Sequence, residues 1–478
     1  MSHGPRVVGG RDAHRLRARE AAADVAPAGA LADLAAVLPV LDESGQLDRP
    51  ATLEALSGAL DAGARRLLIV SSSRTQPPRY GHPGMVRERP ASVLLGRHPG
   101  SDPWNQLEID AAAAADAHGA AWRVLRPTPV RIPGDGDPWN RLIDADRPAV
   151  PLGFSPPVQF LHPDDFDRAL RWASERFDEL PAVLHIAPQD AVPLREALGL
   201  AGVRFRRRPF SWLRLRARLR RRFGLGAAGF GCPRELDRLR FPATVSGKAA
   251  AALGFRPVHG TASALGGAAP EVRRDPFGLD RGVVDAARRT VFRFLNDTWW
   301  RVDVEGLGHI PRRGPVLLLG VHRGIVPFDA MMILHAVAGE TGRVPRFLIH
   351  PALLRLPFVN DLMRALGGLV ACRENADWVL GRGDILGLFP EGAKGAFSPL
   401  RAAGEVQRFG RAEFVNLAIR HRAPCALFVT VGSAEVFPVL AALDWSWWKR
   451  WSAWPCLPIP ATPIPLPVKW RTRCLEPL

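Results

Sequence analysis

The sequence predicts an α/β protein made of two successive sheet-forming units, and three observations predict it. Short β-type runs alternate with alanine-rich helical stretches in both halves, the pattern of parallel βα units. The 478 residues include 45 glycines and 45 prolines, enough turn formers to punctuate many short elements. Between about residues 201 and 280 the periodicity fades into an arginine-rich and then a Gly/Ala/Pro-rich stretch. The expected organisation is therefore a domain at 1–200, a linker at 201–280 and a second domain at 281–478.

The elements follow in order. "ARRLLIVSSS" at 64–73 reads as a strand closing in a serine turn, and "EIDAAAAADAHGAAW" at 108–122 as a helix. "WRVLRPTPV" is the next strand, and "DDFDRALRWASERF" at 164–177 is a helix with Asp164 or Asp165 as its cap. The stretch 203–222, "VRFRRRPFSWLRLRARLRRR", fits two periods. As a helix it places Trp212, Leu215, Leu219 and Phe223 on one face among arginines, the pattern of a membrane-surface element. As a strand it alternates Leu213, Leu215, Ala217 and Leu219 with Arg214, Arg216, Arg218 and Arg220, and a solvated basic linker is the plain alternative. From 281 onward come a helix, "VVDAARRTVFRFLNDTWWRV", and a strand, "VLLLGV". The loop "HRGIVPFDA", the helix "MMILHAVAG" and the strands "RFLIH", "GGLVAC", "DILGLF" and "CALFVTV" follow.

Charge and cysteine usage narrow the classes. The 64 basic and 47 acidic residues give a formal charge of +17, which favours an anionic partner; because nearly all the basic residues are arginine in an alanine-rich chain, base composition accounts for part of it. Of the polyanions, an anionic membrane is the expected partner and nucleic acid is not. Cys232, Cys372, Cys425, Cys456 and Cys474 are odd in number and lack metal-ligand spacing, so neither a disulfide framework nor a metal site is expected, and a reducing cytoplasm fits. The opening "MSHGPRVVGGRDAHRL" has no apolar signal core and no run reaches the ~18 apolar residues of a spanning helix, so membrane contact is expected to be peripheral, on the inner face of the cytoplasmic membrane. "LDWSWWKRWSAWPCLPIPATPIPLPVKW" sets Trp445, Trp447, Trp448, Trp451, Trp454 and Trp470 beside Lys449, Arg450 and Lys469. That mixture suits either a headgroup layer or a tryptophan-rich packing surface.

The residues that carry chemistry lie in the second half. His322 follows the strand "VLLLGV" directly, and Asp329 stands seven positions on, at the start of the next helix. In open α/β sheets ligands bind at the carboxyl ends of strands. A carboxylate that takes a hydrogen bond from one imidazole nitrogen leaves the other basic, able to pull a proton from a hydroxyl. Taken alone, the pair is equally a loop histidine and a helix-start acid. The strand "DILGLF" is expected to emerge at the same edge, bringing Glu391, Gly392 and Lys394, one of only four lysines, beside His322. Lys394 and Arg373, just past a third strand, are candidate ligands for one phosphate, which points to a hydroxyl nucleophile on a phosphorylated molecule.

On these residues the second half resembles a known family. "VEGLGHIPRRGPVLLLGVHRGIVPFD", "GGLVACRENA", "LFPEGAKG" and "QRFGRAEFVNLAIRHRAP" are similar, in order, to the motifs of the lysophospholipid (1-acylglycerol-3-phosphate) acyltransferases, over about 285–478. The resemblance implies a glycerophospholipid-acyltransferase-like α/β domain with His322 as general base and Asp329 as its partner. It implies that Phe389, Pro390, Glu391, Gly392 and Lys394, with Arg373 and Arg323, bind a lysophospholipid acceptor. It also implies an acyl-CoA or acyl carrier protein thioester as donor, with no cofactor. Four features depart from the family pattern: Val321 in place of an asparagine, a longer His-to-Asp spacing, Lys394 in place of an arginine, and "CALF" after Pro424.

The first half, over about 50–200, resembles extended short-chain dehydrogenases of the nucleotide-sugar epimerase type, which implies a Rossmann-like sheet. Its chemistry is missing. "VVGGRD" is too short to be the glycine-rich fingerprint, and the single tyrosine, Tyr80, has Gly84 where the family's lysine would stand. Trp104 and Glu108 occupy the place of the catalytic pair. A redox-inactive scaffold is the expectation. The rival readings are a non-catalytic membrane scaffold for the whole chain, or an NAD(P)-dependent oxidoreductase or epimerase in the first half.

Overall fold

A computed structural model describes residues 6–8, 33–42, 45–93, 103–223, 230, 235–267, 274–324, 326–402, 404–405, 412–452 and 454–477, with the side chains of 6–8, Arg221, Lys394 and Trp451 outside that description. The chain divides into two compact units, Met1–Gly278 and Leu279–Leu478.

In the first unit β1 (Arg6–Val8), β2 (Leu34–Val37), β3 (Arg66–Val70), β4 (Ala121–Pro127) and β5 (Val183–Ile186) pair in that order, all parallel. Both faces are covered, which is why the strands read as continuous apolar runs. Leu34, Ala36, Leu68 and Val70 pack with Ala169, Leu170 and Ala173, while Ala35, Val37, Leu67 and Ile69 pack with Leu56, Ala59, Ala111 and Ala115. These partners come from α1 (Arg49–Asp61), α2 (Pro103–Ala117) and α3 (Pro163–Glu175). The sheet is Rossmann-like, yet its described strands never reverse order, and the reversal is where such sheets open a ligand crevice. Glu108 is likewise committed: the buried Arg126 donates to it from Nε (2.8 Å) and Nη2 (2.5 Å).

Two expectations for this unit are corrected. The cap of α3 is His162, whose Nδ1 accepts the Asp164 N–H at 3.2 Å; Asp165 is buried and accepts the N–H groups of Val258 and His259 instead. The stretch at 201–280 is not a free linker. Phe230, Leu236, Leu239, Ala264 and Leu265 are buried with Leu194 and Leu198, and Ala250 and Phe255 join the sheet's core. Small residues in short turns fill that space without any periodicity to announce them. Residues 203–222 resolve into a short strand, Arg206–Arg208, and a helix, α4 (Phe210–Arg222).

The main sheet of the second unit has seven described strands: β6 (Asp303–Glu305), β7 (Val316–Gly320), β8 (Arg346–Ile349), β9 (Leu369–Val370), β10 (Ile385–Leu388), β11 (Cys425–Val431) and β12 (Arg471–Cys474). Their spatial order is β6-β12-β11-β7-β10-β8-β9, parallel throughout except that β11 and β12 run antiparallel. After β7 the chain goes out to β8 and β9, returns to β10 on one side of β7, and then places β11 on the other. The order reverses at β7, so the loops after β7 and β10 diverge and leave a crevice at their carboxyl ends. Trp470 is not a surface residue but core, its ring 5.2 Å from that of Trp300. Among the described residues no helix is long and apolar enough to cross a membrane.

Candidate active site

The crevice at β7 is where the sequence places its chemistry. The loop after β7 turns at Gly324, whose φ of +94° is open to glycine at little cost. That turn sets His322 against the first turn of α5 (Phe328–Thr341). His322 Nδ1 donates to Asp329 Oδ2 at 2.9 Å, and the Arg323 N–H donates to the same oxygen at 3.0 Å. Asp329 is buried in the first turn of that helix. A carboxylate only accepts, so the proton sits on Nδ1 and Nε2 is left with its lone pair.

Aromatic packing fixes the imidazole from β10. Phe389, directly after that strand, lies 5.1 Å from the His322 ring, and Phe347 stacks on Phe389 at 5.9 Å. Phe347 in turn lies flat over Gly387, where any Cβ would collide with its ring. Glycine is required there by close approach rather than by backbone angle.

Arg323 and Glu391 face each other rather than the cavity. Their side chains are buried and ion-paired with each other, Nη2 also donating to the Glu405 carbonyl at 2.8 Å and Nη1 to the His322 carbonyl at 3.0 Å. The guanidinium fork is thus consumed within the protein. The pair joins the histidine loop to the Pro-Glu-Gly turn, and neither residue is among those that line the cavity. Lys394 lies in a short helix, α7 (Gly392–Ala396), and its side chain lies outside the described residues. Arg373 begins α6 (Arg373–Leu380) at the cavity, with Nε 3.5 Å from Glu413 and 3.8 Å from Asp377.

His322, Phe389, Pro390, Gly392 and Arg373 line one cavity of about 700 Å³. Its walls are mostly apolar, from residues such as Ile349, Leu353, Ala376, Ala396, Leu417 and Trp454. Several of its residues escaped sequence reasoning. His350 follows β8 much as His322 follows β7, a signal that was available; burial holds its imidazole below the usual range, and Trp454 stacks on it at 5.7 Å. Glu413 and Asn416, from α8 (Glu413–His421), also reach the cavity. Trp454 is therefore a cavity wall rather than a surface tryptophan, whereas Trp445, just before α9 (Ser446–Ser452), and Trp447, within it, are exposed.

Cys372 also lines the cavity. Burial pushes its thiol up to about 12, so it stays protonated and unreactive at neutral pH. Cys372→Ser is expected to keep wild-type turnover and to yield no less product in a steady-state assay, whereas loss of activity would point to an acyl-cysteine intermediate.

Comparison with known proteins agrees with this half of the molecule. Residues 301–439 match the acyltransferase family, so the second unit carries an acyltransferase domain. Uncharacterized proteins of Mycobacterium tuberculosis and Mycobacterium bovis are 35% identical over 214 residues, 43% of this chain and 59% of theirs. The chain thus spans under two thirds of the length of those relatives. A human protein described as a DGAT1/2-independent enzyme synthesizing storage lipids is 25% identical over 198 residues, 41% of this chain and 60% of that one. Among solved structures, the 1-acyl-sn-glycerophosphate (LPA) acyltransferase PlsC from Thermotoga maritima aligns with 41% of this chain and 69% of its own, at 21% identity and a TM-score of 0.31. A UDP-galactose 4-epimerase aligns with 49% and 75%, at 18% identity and a TM-score of 0.32.

Proposed function

We propose, from an acyltransferase domain at residues 301–439 as premise, that this protein moves a fatty acyl group from a thioester to the hydroxyl of a lysophospholipid such as 1-acylglycerol-3-phosphate. The observation that carries the reading is the His322–Asp329 pair, 2.9 Å apart, at the rim of a largely apolar cavity. Nε2 of His322 takes the acceptor's hydroxyl proton as the oxygen attacks the thioester carbonyl. The tetrahedral adduct collapses, the C–S bond breaks, and the imidazolium returns its proton to the departing thiolate. Asp329 stabilises the imidazolium between the two transfers. The donor is an acyl-CoA or acyl carrier protein, and the cavity gives its chain an apolar lodging. The reaction runs at the cytoplasmic face of a membrane, where such acceptors reside.

Thiol release from palmitoyl-CoA, with and without lysophosphatidic acid, tests the proposal. Acceptor-dependent release supports it, and none with either CoA or carrier-protein donors favours the non-catalytic scaffold. One observation favours a second acceptor class. Glu413 stands 3.5 Å from Arg373 at the cavity, and a carboxylate there opposes a phosphate but not a phosphate-free glyceride. The human relative's description as an enzyme synthesizing storage lipids is in keeping with that alternative. Arg373→Ala is expected to raise the KM for lysophosphatidic acid by roughly tenfold, the scale of one charge-assisted contact. Equal effects on a diacylglycerol acceptor would remove Arg373 as a phosphate ligand.

A further inference from the structure

The first unit has no assigned task, and its most unusual surface is α4. Leu213 and Ala217 are buried against the unit's core, fixing the helix flat on the domain. Its other apolar side chains face outward: Trp212 is 42% exposed, Leu215 55%, Leu219 45% and Phe223, whose N–H still donates to the Leu219 carbonyl, 67%. At 100° per residue these four fall within an arc of about 80°, turned away from the buried pair. Arg216 and Arg222 border the arc on its two sides, and Arg208 and Arg216 lie over the Trp212 ring at 5.6 and 5.5 Å. Residues 203–222 hold ten arginines and no acidic residue.

We propose that α4 docks the first unit onto an anionic bilayer, lying in the plane of the interface with Trp212, Leu215, Leu219 and Phe223 at the headgroup boundary. Charge complementarity selects this occupant. A second copy would bring arginine against arginine around the same stripe. A nucleic acid would satisfy the arginines but leave Leu215, Leu219 and Phe223 in water. A bilayer surface rich in anionic lipid accommodates both, with tryptophan at the depth it favours. Docking is independent of acyl transfer, although it fits the membrane setting proposed above.

Cosedimentation of the full chain with phosphatidylcholine vesicles, with and without phosphatidylglycerol, tests it. The wild type is expected to bind the anionic vesicles and to lose affinity as salt shortens the reach of the arginines. Leu215→Glu/Leu219→Glu is expected to weaken that binding roughly 10- to 100-fold. Arg216→Gln/Arg222→Gln, which leaves the stripe intact, is expected to weaken it only on anionic vesicles. Unchanged vesicle affinity in the glutamate variant overturns the proposal, as does a wild-type dimer that this variant splits into monomers. Thiol release with detergent-dispersed acceptor is expected to be the same in both variants, which separates failed docking from failed chemistry.

Discussion

Replacing His322 with alanine is expected to lower acyl transfer by about 10²- to 10⁴-fold, the range over which a positioned general base acts. The side chain touches Asp329, Phe389 and the cavity and carries little of the core, so thermal stability is expected to change far less than activity. Asp329→Asn offers the sharper comparison. An asparagine amide can donate toward Nδ1, which would move the imidazole proton to Nε2 and leave no lone pair for the acceptor hydroxyl. Its turnover is expected to fall nearly as far as that of His322→Ala, with KM little changed because no substrate contact is removed. Single-turnover thiol release, run beside steady-state kinetics, measures both. Undiminished transfer in His322→Ala would eliminate the proposed mechanism.

Arg323→Met is expected to destabilise the second unit by about 3–5 kcal/mol, because it leaves the Glu391 carboxylate buried without its counter-charge. For a unit of this size that is a fall in Tm of about 6–20 °C. The double change Arg323→Met/Glu391→Leu removes both charges and is expected to recover most of the loss, since two well-packed apolar side chains often replace a buried ion pair at little cost. Differential scanning calorimetry of the wild type, Arg323→Met, Glu391→Leu and the double variant closes the cycle. A single mutant as stable as the wild type would mean the pair is reached by water. If Arg323 instead bound the acceptor, its loss would raise KM and leave Tm alone.

These two expectations fall on opposite sides of what the sequence discloses. The strand before His322 and the helix whose first turn holds Asp329 are both local patterns, so the placement of the two residues is legible in the order of residues, while their pairing is not distinguished there from a loop histidine and a helix-start acid. The Arg323–Glu391 pair joins residues 68 positions apart. An arginine and a glutamate near glycines look the same whether they face a ligand or each other, and only the reversal of strand order at β7 brings them together. Residues 203–222 satisfy periods of 2 and 3.6 at once, and packing of Leu213 and Ala217 against the core decides the matter. The stretch expected as a linker hid its role because alanine, glycine and single phenylalanines can fill a core without a repeating face. His350, Glu413 and Trp454 come from three separate elements, and their convergence on one cavity is a property of topology.

The uninterrupted strand order of the first unit bears on where a ligand could lie. Among its described strands no two neighbouring connections leave in opposite directions, so strand order alone opens no crevice at their carboxyl ends. What this unit offers to a partner is therefore sought on its outer surface, where a row of arginines and exposed rings stands.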